Sequence, residues 1–209
     1  MNRFVPGYAD ELVPLVVSEV GAKARMGKIL DIGSGTGNID KLIADRFTPQ
    51  SMDLVEISKP LIEESRKRLA DKESVIHFHE MDAVDFVAED DTYDSALSNL
   101  VLHNIPLERK KRVIGNVYHW LKKGGTFIWT DLVDFSDPAE FKRCLEERRD
   151  IALSMGATKE FAERNFKKER EEDHAVTVEQ MTEILEQVGF IKIEVLRKKF
   201  NVVTLKAIK

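Results

Sequence analysis

Short apolar runs alternate with stretches whose apolar residues recur three or four positions apart, the pattern of βαβ units around a parallel sheet. KILDIG (Lys28 to Gly33) reads as a first strand buried on both faces. IDKLIADRF then sets Ile39, Leu42, Ile43 and Phe47 at helical spacing. SMDLVEIS is strand two; Ser58 follows as an N-cap, with Pro60 in the first turn of SKPLIEESRKRLA. VIHFHEMD and YDSALSNL are strands three and four. A helix from about Pro106 to Lys122 stops at KKGG, and TFIWTDLV is strand five.

After strand five the rhythm changes. From Ser136 to about Ala175 the chain is highly charged and helical, without a strand, which predicts a helical cap inserted in the domain. FKRCLEERRDIALSMG offers it an apolar face through Phe141, Leu145, Ile151, Leu153 and Met155. Thr177 and Gln180 predict a capping box for TVEQMTEILEQV, which Gly189 ends. FIKIEVLRKKFNVVTLKAIK holds two β-rich runs about a short basic turn, an antiparallel hairpin at the sheet edge. Seven strands with a terminal hairpin differ from the six-stranded parallel dinucleotide fold.

Composition narrows the classes. The 209 residues, 43% apolar and 33% charged, suit one globular domain with a real core. A single cysteine, Cys144, rules out an internal disulfide or a cysteine-rich metal cluster. No apolar run approaches the ~20 residues of a membrane span. The first residues, MNRFVPGYADE, lack the apolar core of a secretory signal, so a cytoplasmic protein without membrane contact is expected. A net charge of -5 weighs against a general nucleic-acid binder. The basic clusters at Arg197 to Lys199 and Lys167 to Arg170 read as solvated element ends.

The chemistry concentrates at strand ends. Asp31, Gly33, Gly35 and Gly37 form D-x-G-x-G-x-G between strand one and its helix. Such a turn brings backbone N–H groups to a ligand at the positive end of the helix dipole. A dinucleotide turn wants a small residue at the sixth position from Gly33, and Asn38 stands there. Glu56 ends strand two, 25 positions after Asp31, where a carboxylate can accept from both hydroxyls of a ribose. Asp82, in EMDAVDF, is placed to accept from an exocyclic adenine amine, with the Ala83 N–H available to a ring nitrogen.

LDIGSGTGN, DLVEIS, HEMDAVDF, YDSALSNLVLHNIP and LKKGGTFIWTDL, in this order, resemble the class I S-adenosylmethionine-dependent methyltransferases along nearly the whole chain. The resemblance implies an α/β fold: a seven-stranded Rossmann-like sheet, six strands parallel and strand 7 antiparallel, as one domain over 1–209 with the helical cap at 136–175. It implies S-adenosyl-L-methionine as cofactor and S-adenosyl-L-homocysteine as product. Gly33, Ser34 and Gly35 would line the methionine and ribose portions, and Asp31 would hold the loop or the amino group. Glu56 would take the ribose, Ile57 the adenine face, and Asp82 with Ala83 the adenine edge. Asn99 and Leu100 would wall the methionine chain. NLVL there differs from the (D/N)PP(Y/F) of DNA amino-methyltransferases.

The ends, FVPGYADEL and FNVVTLKAIK, are similar to the carboxy-S-adenosylmethionine synthase branch, in which Tyr8 would close over the cofactor. That branch reads an extra carboxylate with a cap arginine; Arg164 and Arg170 are the candidates, in an acidic stretch that does not align cleanly. Small stand-alone methyltransferases share the tail pattern DH…T-x-E-Q…GF…FN and are the favoured group.

Transfer from the sulfonium is an in-line displacement, so the protein's task is binding, alignment and exclusion of water. A base is needed only where the acceptor keeps its proton at neutral pH. His103, just after strand four, and Asp131, ending strand five, are the catalytic candidates, with Asp134 and His174 behind them. Asp131 and Asn99 lack a third ligand, so no metal is assigned. The expected acceptor is a small molecule, presented at O, N or S, with monomer and homodimer both open. The competing readings are a cofactor-modifying synthase serving tRNA modification, a non-catalytic cofactor-binding module, and a nicotinamide oxidoreductase, which Asn38 and the hairpin oppose.

Overall fold

The computed structural model describes residues 4–24 and 27–209. Seven strands form one sheet in the order β3-β2-β1-β4-β5-β7-β6. β1 (Lys28–Ile32), β2 (Ser51–Glu56), β3 (Ile76–Glu80), β4 (Tyr93–Asn99) and β5 (Leu121–Leu132) pair in parallel. β7 (Val202–Ile208) runs antiparallel to both β5 and β6 (Ile191–Lys199). The predicted hairpin is therefore present, with β7 inserted and β6 at the edge.

Side chains alternate across the central strands and meet helices on both faces. Ile29, Leu97 and Ile128 pack against α1 (Val13–Ala24) and α2 (Asn38–Phe47) through Val16, Val20, Ile39 and Ile43. Leu30, Ile32, Phe127 and Trp129 face the opposite core, built with α4 (Leu107–Trp120) and α7 (Val178–Val188) through Val113, Val117, Met181 and Leu185. α3 (Lys59–Arg68) leads from β2 toward β3. Trp120 and Trp129 are both core residues, as expected.

Two local expectations need correction. α4 stops at Trp120 and β5 begins at Leu121, ahead of the KKGG expected to separate them. The reason is tertiary: Leu121 pairs with Tyr93, while Lys209 exchanges hydrogen bonds with Gly124 (2.8 Å) and Gly125 (3.0 Å), holding that stretch extended. Ser58 sits at the N-cap position but its side chain makes no capping bond; its N–H goes to Glu56 Oε1 at 2.8 Å. The capping box of α7 does form, through Thr177 and Gln180.

Between β5 and α7 lie α5 (Pro138–Ser154), N-capped by Asp137, and α6 (Lys159–Glu171), N-capped by Thr158. The buried stripe of α5 is Cys144, Leu145, Arg148 and Ala152. Leu153 and Met155 are exposed instead, because they fall outside the arc that faces the sheet and α6.

Candidate active site

A cleft of about 830 Å³ opens at the carboxyl ends of β1, β2 and β4. β1 lies between strands reached by connections running in opposite directions, the switch point at which open α/β sheets bind ligands. The ten residues nominated as cofactor-binding all line it.

The glycine turn is built in parts. The N–H groups of Gly33 and Ser34 both donate to Val55 O, at 2.8 and 3.2 Å, tying the turn to β2. Gly35 has φ 56°, its N–H donates to Glu56 Oε2 at 2.9 Å, and a Cβ added there meets nothing within 4 Å. Space in front of that backbone is what a close-lying ligand needs. Gly37 is different: a Cβ there would stand 2.3 Å from Ser65 Oγ, so its smallness serves the packing of α2 against α3.

Glu56 is buried and accepts from the turn on one oxygen and from Ser58 N–H on the other. Ile57, beside it, is an apolar side chain left 65% exposed at the cleft. Asp82 Oδ1 accepts from Val84 N–H at 2.9 Å, and its Oδ2 from Arg109, another lining residue, at 2.8 Å. The Asn99 amide donates to the Tyr8 hydroxyl at 3.4 Å. Tyr8 opens a π-helical turn (Tyr8–Leu12) that Glu11 anchors to Arg197 and Lys199 on β6.

Three oxygens at this cleft, Asp31 Oδ1, Ser34 Oγ and Asn99 Oδ1, are buried and have no hydrogen-bond partner. Behind them Asp31 faces Asp40, both fully buried. Burial, and then the neighbouring Asp40 and Glu56 carboxylates, raise the Asp31 pKa well above the ordinary value; burial raises Asp40 to about 7. A pair of carboxylates without a cation holds a proton instead.

The catalytic candidates lie elsewhere. Asp131 Oδ1 pairs with His103 Nδ1, Asp131 Oδ2 accepts from the His103 N–H at 3.0 Å, and both side chains are buried. Burial pulls the His103 pKa down, but Asp131, with Asp173 behind it, outweighs that and leaves it raised. Asn104 Nδ2 lies 2.9 Å from Nε2. With an amide donor there, the neutral ring keeps its proton on Nδ1, toward Asp131. Neither residue lines the large cleft. His103 lines a second chamber, about 70 Å³, under α5 and α6, which shares Leu100 with the cleft. Asp134 accepts from Phe135 N–H, and the His174 carbonyl accepts from Lys110 Nζ; neither lines the cleft or the chamber.

Sequence reasoning missed Asp40, Arg109, Arg148 and Asn201. The signal for Asp40 and Arg148 was present: each is a charge on its helix's buried stripe, between Ile39 and Ile43 and between Cys144 and Ala152. Arg164 lies over the Phe161 ring and Arg170 pairs with Glu171; neither lines the cleft or the chamber.

Residues 29–125 match the family model described as a methyltransferase domain. A carboxy-S-adenosyl-L-methionine synthase from Staphylococcus epidermidis is 27% identical over 212 positions, covering 100% of this chain and 90% of that protein. Lovastatin diketide synthase lovF from Aspergillus terreus is 33% identical over 130 residues, 57% of this chain; the chain spans 5% of that protein's length. Among solved structures, phosphoethanolamine N-methyltransferase 2 of Haemonchus contortus, holding S-adenosylhomocysteine, superposes with TM-score 0.67 at 20% identity, over 90% of this chain and 39% of that one. At that identity the likeness is one of fold. The chain is thus similar to methyltransferase domains over residues 29–125, and weakly similar to carboxy-S-adenosylmethionine synthase along its whole length.

Proposed function

We propose that the protein transfers a methyl group from S-adenosyl-L-methionine to an O, N or S atom of a small-molecule acceptor, leaving S-adenosyl-L-homocysteine. The observation that carries this reading is the trio of unpartnered oxygens, Asp31 Oδ1, Ser34 Oγ and Asn99 Oδ1, around a glycine turn whose front is open. They supply acceptors for an α-ammonium group. Glu56 would take the ribose hydroxyls, Ile57 the adenine face, and Asp82 with Ala83 the adenine edge. Tyr8 would close the cleft.

Bound there, the cofactor supplies a methyl group on positively charged sulfur. The chain's own work is to hold the two reactants in line and keep water out. α5 and α6 act as the cap over the acceptor side of a single domain. His103 takes the acceptor's proton where there is one, with Asp131 fixing its ring and tautomer. Histidine 103 replaced by glutamine (H103Q) should lower turnover while cofactor affinity stays; full activity with the true acceptor would retire that role.

Calorimetric titration with S-adenosylmethionine and S-adenosylhomocysteine tests the reading as a whole. Saturable heat with both is expected. No heat with either, alongside a response to a pyridine nucleotide, overturns it. The full-length similarity to carboxy-S-adenosylmethionine synthase favours a second reading, a cofactor-modifying enzyme. Mass spectrometry of the co-purifying ligand separates the two, since an added carboxylate decides for the synthase.

A further inference from the structure

The chamber beneath α5 and α6 is roofed by apolar groups, among them Ala152, Phe161 and Phe166, and floored by Leu100 and Leu132. Its volume of about 70 Å³ corresponds to roughly five to seven water-sized occupants. Only a small molecule enters it. Leu100 is a fixed wall: it holds φ 59°, and its N–H donates to Thr130 O at 2.8 Å.

Into this apolar space the fold brings one guanidinium. Arg148 is 5% exposed. Its Nη1 donates to Glu169 Oε1 at 2.5 Å and to Asn201 Oδ1 at 2.6 Å, and its plane lies over Phe166 at 5.1 Å. Asn201, fully buried, also donates to Glu169 at 2.6 Å and to Val133 O at 3.3 Å, locking the group in place. Arg148 Nε, by contrast, is buried with no partner. An unpaired N–H on a permanent cation is costly in a dry site, and it is matched by an oxygen that carries charge. The other cation of the chamber, Lys168, is already held by Asp173 and Asn104, and His103 by Asp131.

Resting on the methyl-transfer reading, we infer that the acceptor is a small carboxylic acid with an apolar body, its carboxylate received by Arg148 Nε within the chamber and a hydroxyl, amine or thiol at its other end set beside Leu100 at the border of the cofactor cleft, where it takes the methyl and yields its proton to His103. The small volume and the Glu169 and Asp173 carboxylates in the lining weigh against a doubly charged phosphate ester.

The test uses the full chain loaded with S-adenosylhomocysteine and titrated with butyrate, 3-methylbutyrate and benzoate, each against its primary amide. At least one acid is expected to bind about tenfold or more tighter than its amide. R148Q should remove that preference while binding of S-adenosylhomocysteine persists. Should R148Q fail to fold, the acid–amide ratio in the unaltered protein decides, with R148K as the charge-retaining comparison. Equal binding of acids and amides, or no acid bound by a chain that holds S-adenosylhomocysteine, overturns the inference. The same comparison on ligand-free protein keeps the two proposals apart: an intact acid preference without S-adenosylhomocysteine binding sinks the cofactor reading, and with it the acid's role as acceptor, while the carboxylate site at Arg148 stands.

Discussion

Glu56 has two tasks that one substitution separates from ordinary packing. Its carboxylate already fastens the Gly35 and Ser58 N–H groups, so the turn is pre-shaped before any ligand arrives. E56A would free the turn and remove the acceptor for ribose hydroxyls, weakening cofactor affinity by about 2 kcal/mol or more. An unchanged calorimetric titration would take Glu56 out of the site. The buried pair of Asp31 and Asp40 gives a second residue-scale prediction, in pH. Both pKa values are raised in the folded protein, Asp40 to about 7. Between about pH 4, where unfolded aspartate ionises, and pH 7 the native state therefore holds the extra proton. More protons on the native state means that stability falls as pH rises through this window and stays reduced above it. D40N should match the original protein near pH 4 and exceed it by on the order of 2 kcal/mol at pH 8 in urea denaturation. A difference that does not change with pH would show that the two carboxylates do not share a proton.

At the scale of elements, legibility followed the range of the interactions involved. The glycine turn, Glu56 and Asp82 stand at strand ends, and strand ends follow from local apolar runs; those placements were readable. The bounds of β5 were not, because KKGG is held extended by Lys209, which no local pattern reveals. The cap helices were readable as helices, yet their inner face was not, since a charge, Arg148, occupies it. What holds that charge is Asn201 at the β6–β7 turn, whose side chain also reaches Glu169 and Val133. N201A would strip a buried ion pair of its third member and cost roughly 3 kcal/mol in urea denaturation. The loss should appear first as protease cleavage in α5 or α6, since these helices meet the sheet through this network. Uniform loss of protection across all elements would mean that the turn supports the whole core and not the cap.

On the scale of the whole molecule, the cleft draws together parts that are far apart in sequence. The first strand's turn, the ends of β2 and β4, and the π-helical turn at Tyr8 all border it, while β6 anchors that π-helical turn through Glu11. A ligand that binds only this folded arrangement stabilises all of it by RT ln(1 + [L]/Kd), about 2.7 kcal/mol at a hundredfold excess over Kd. For a chain of this size that is a melting shift of roughly 5–10 °C. S-adenosylhomocysteine should produce it and NADH should not. The Glu11 contacts are exposed, so E11A should leave the ligand-free melting temperature nearly unchanged. If the anchor is what keeps Tyr8 over the cleft, the same variant should show a smaller ligand-induced shift. Full retention of the shift in E11A would place the closing of the cleft in the sheet and its glycine turn alone, with the N-terminal segment a bystander.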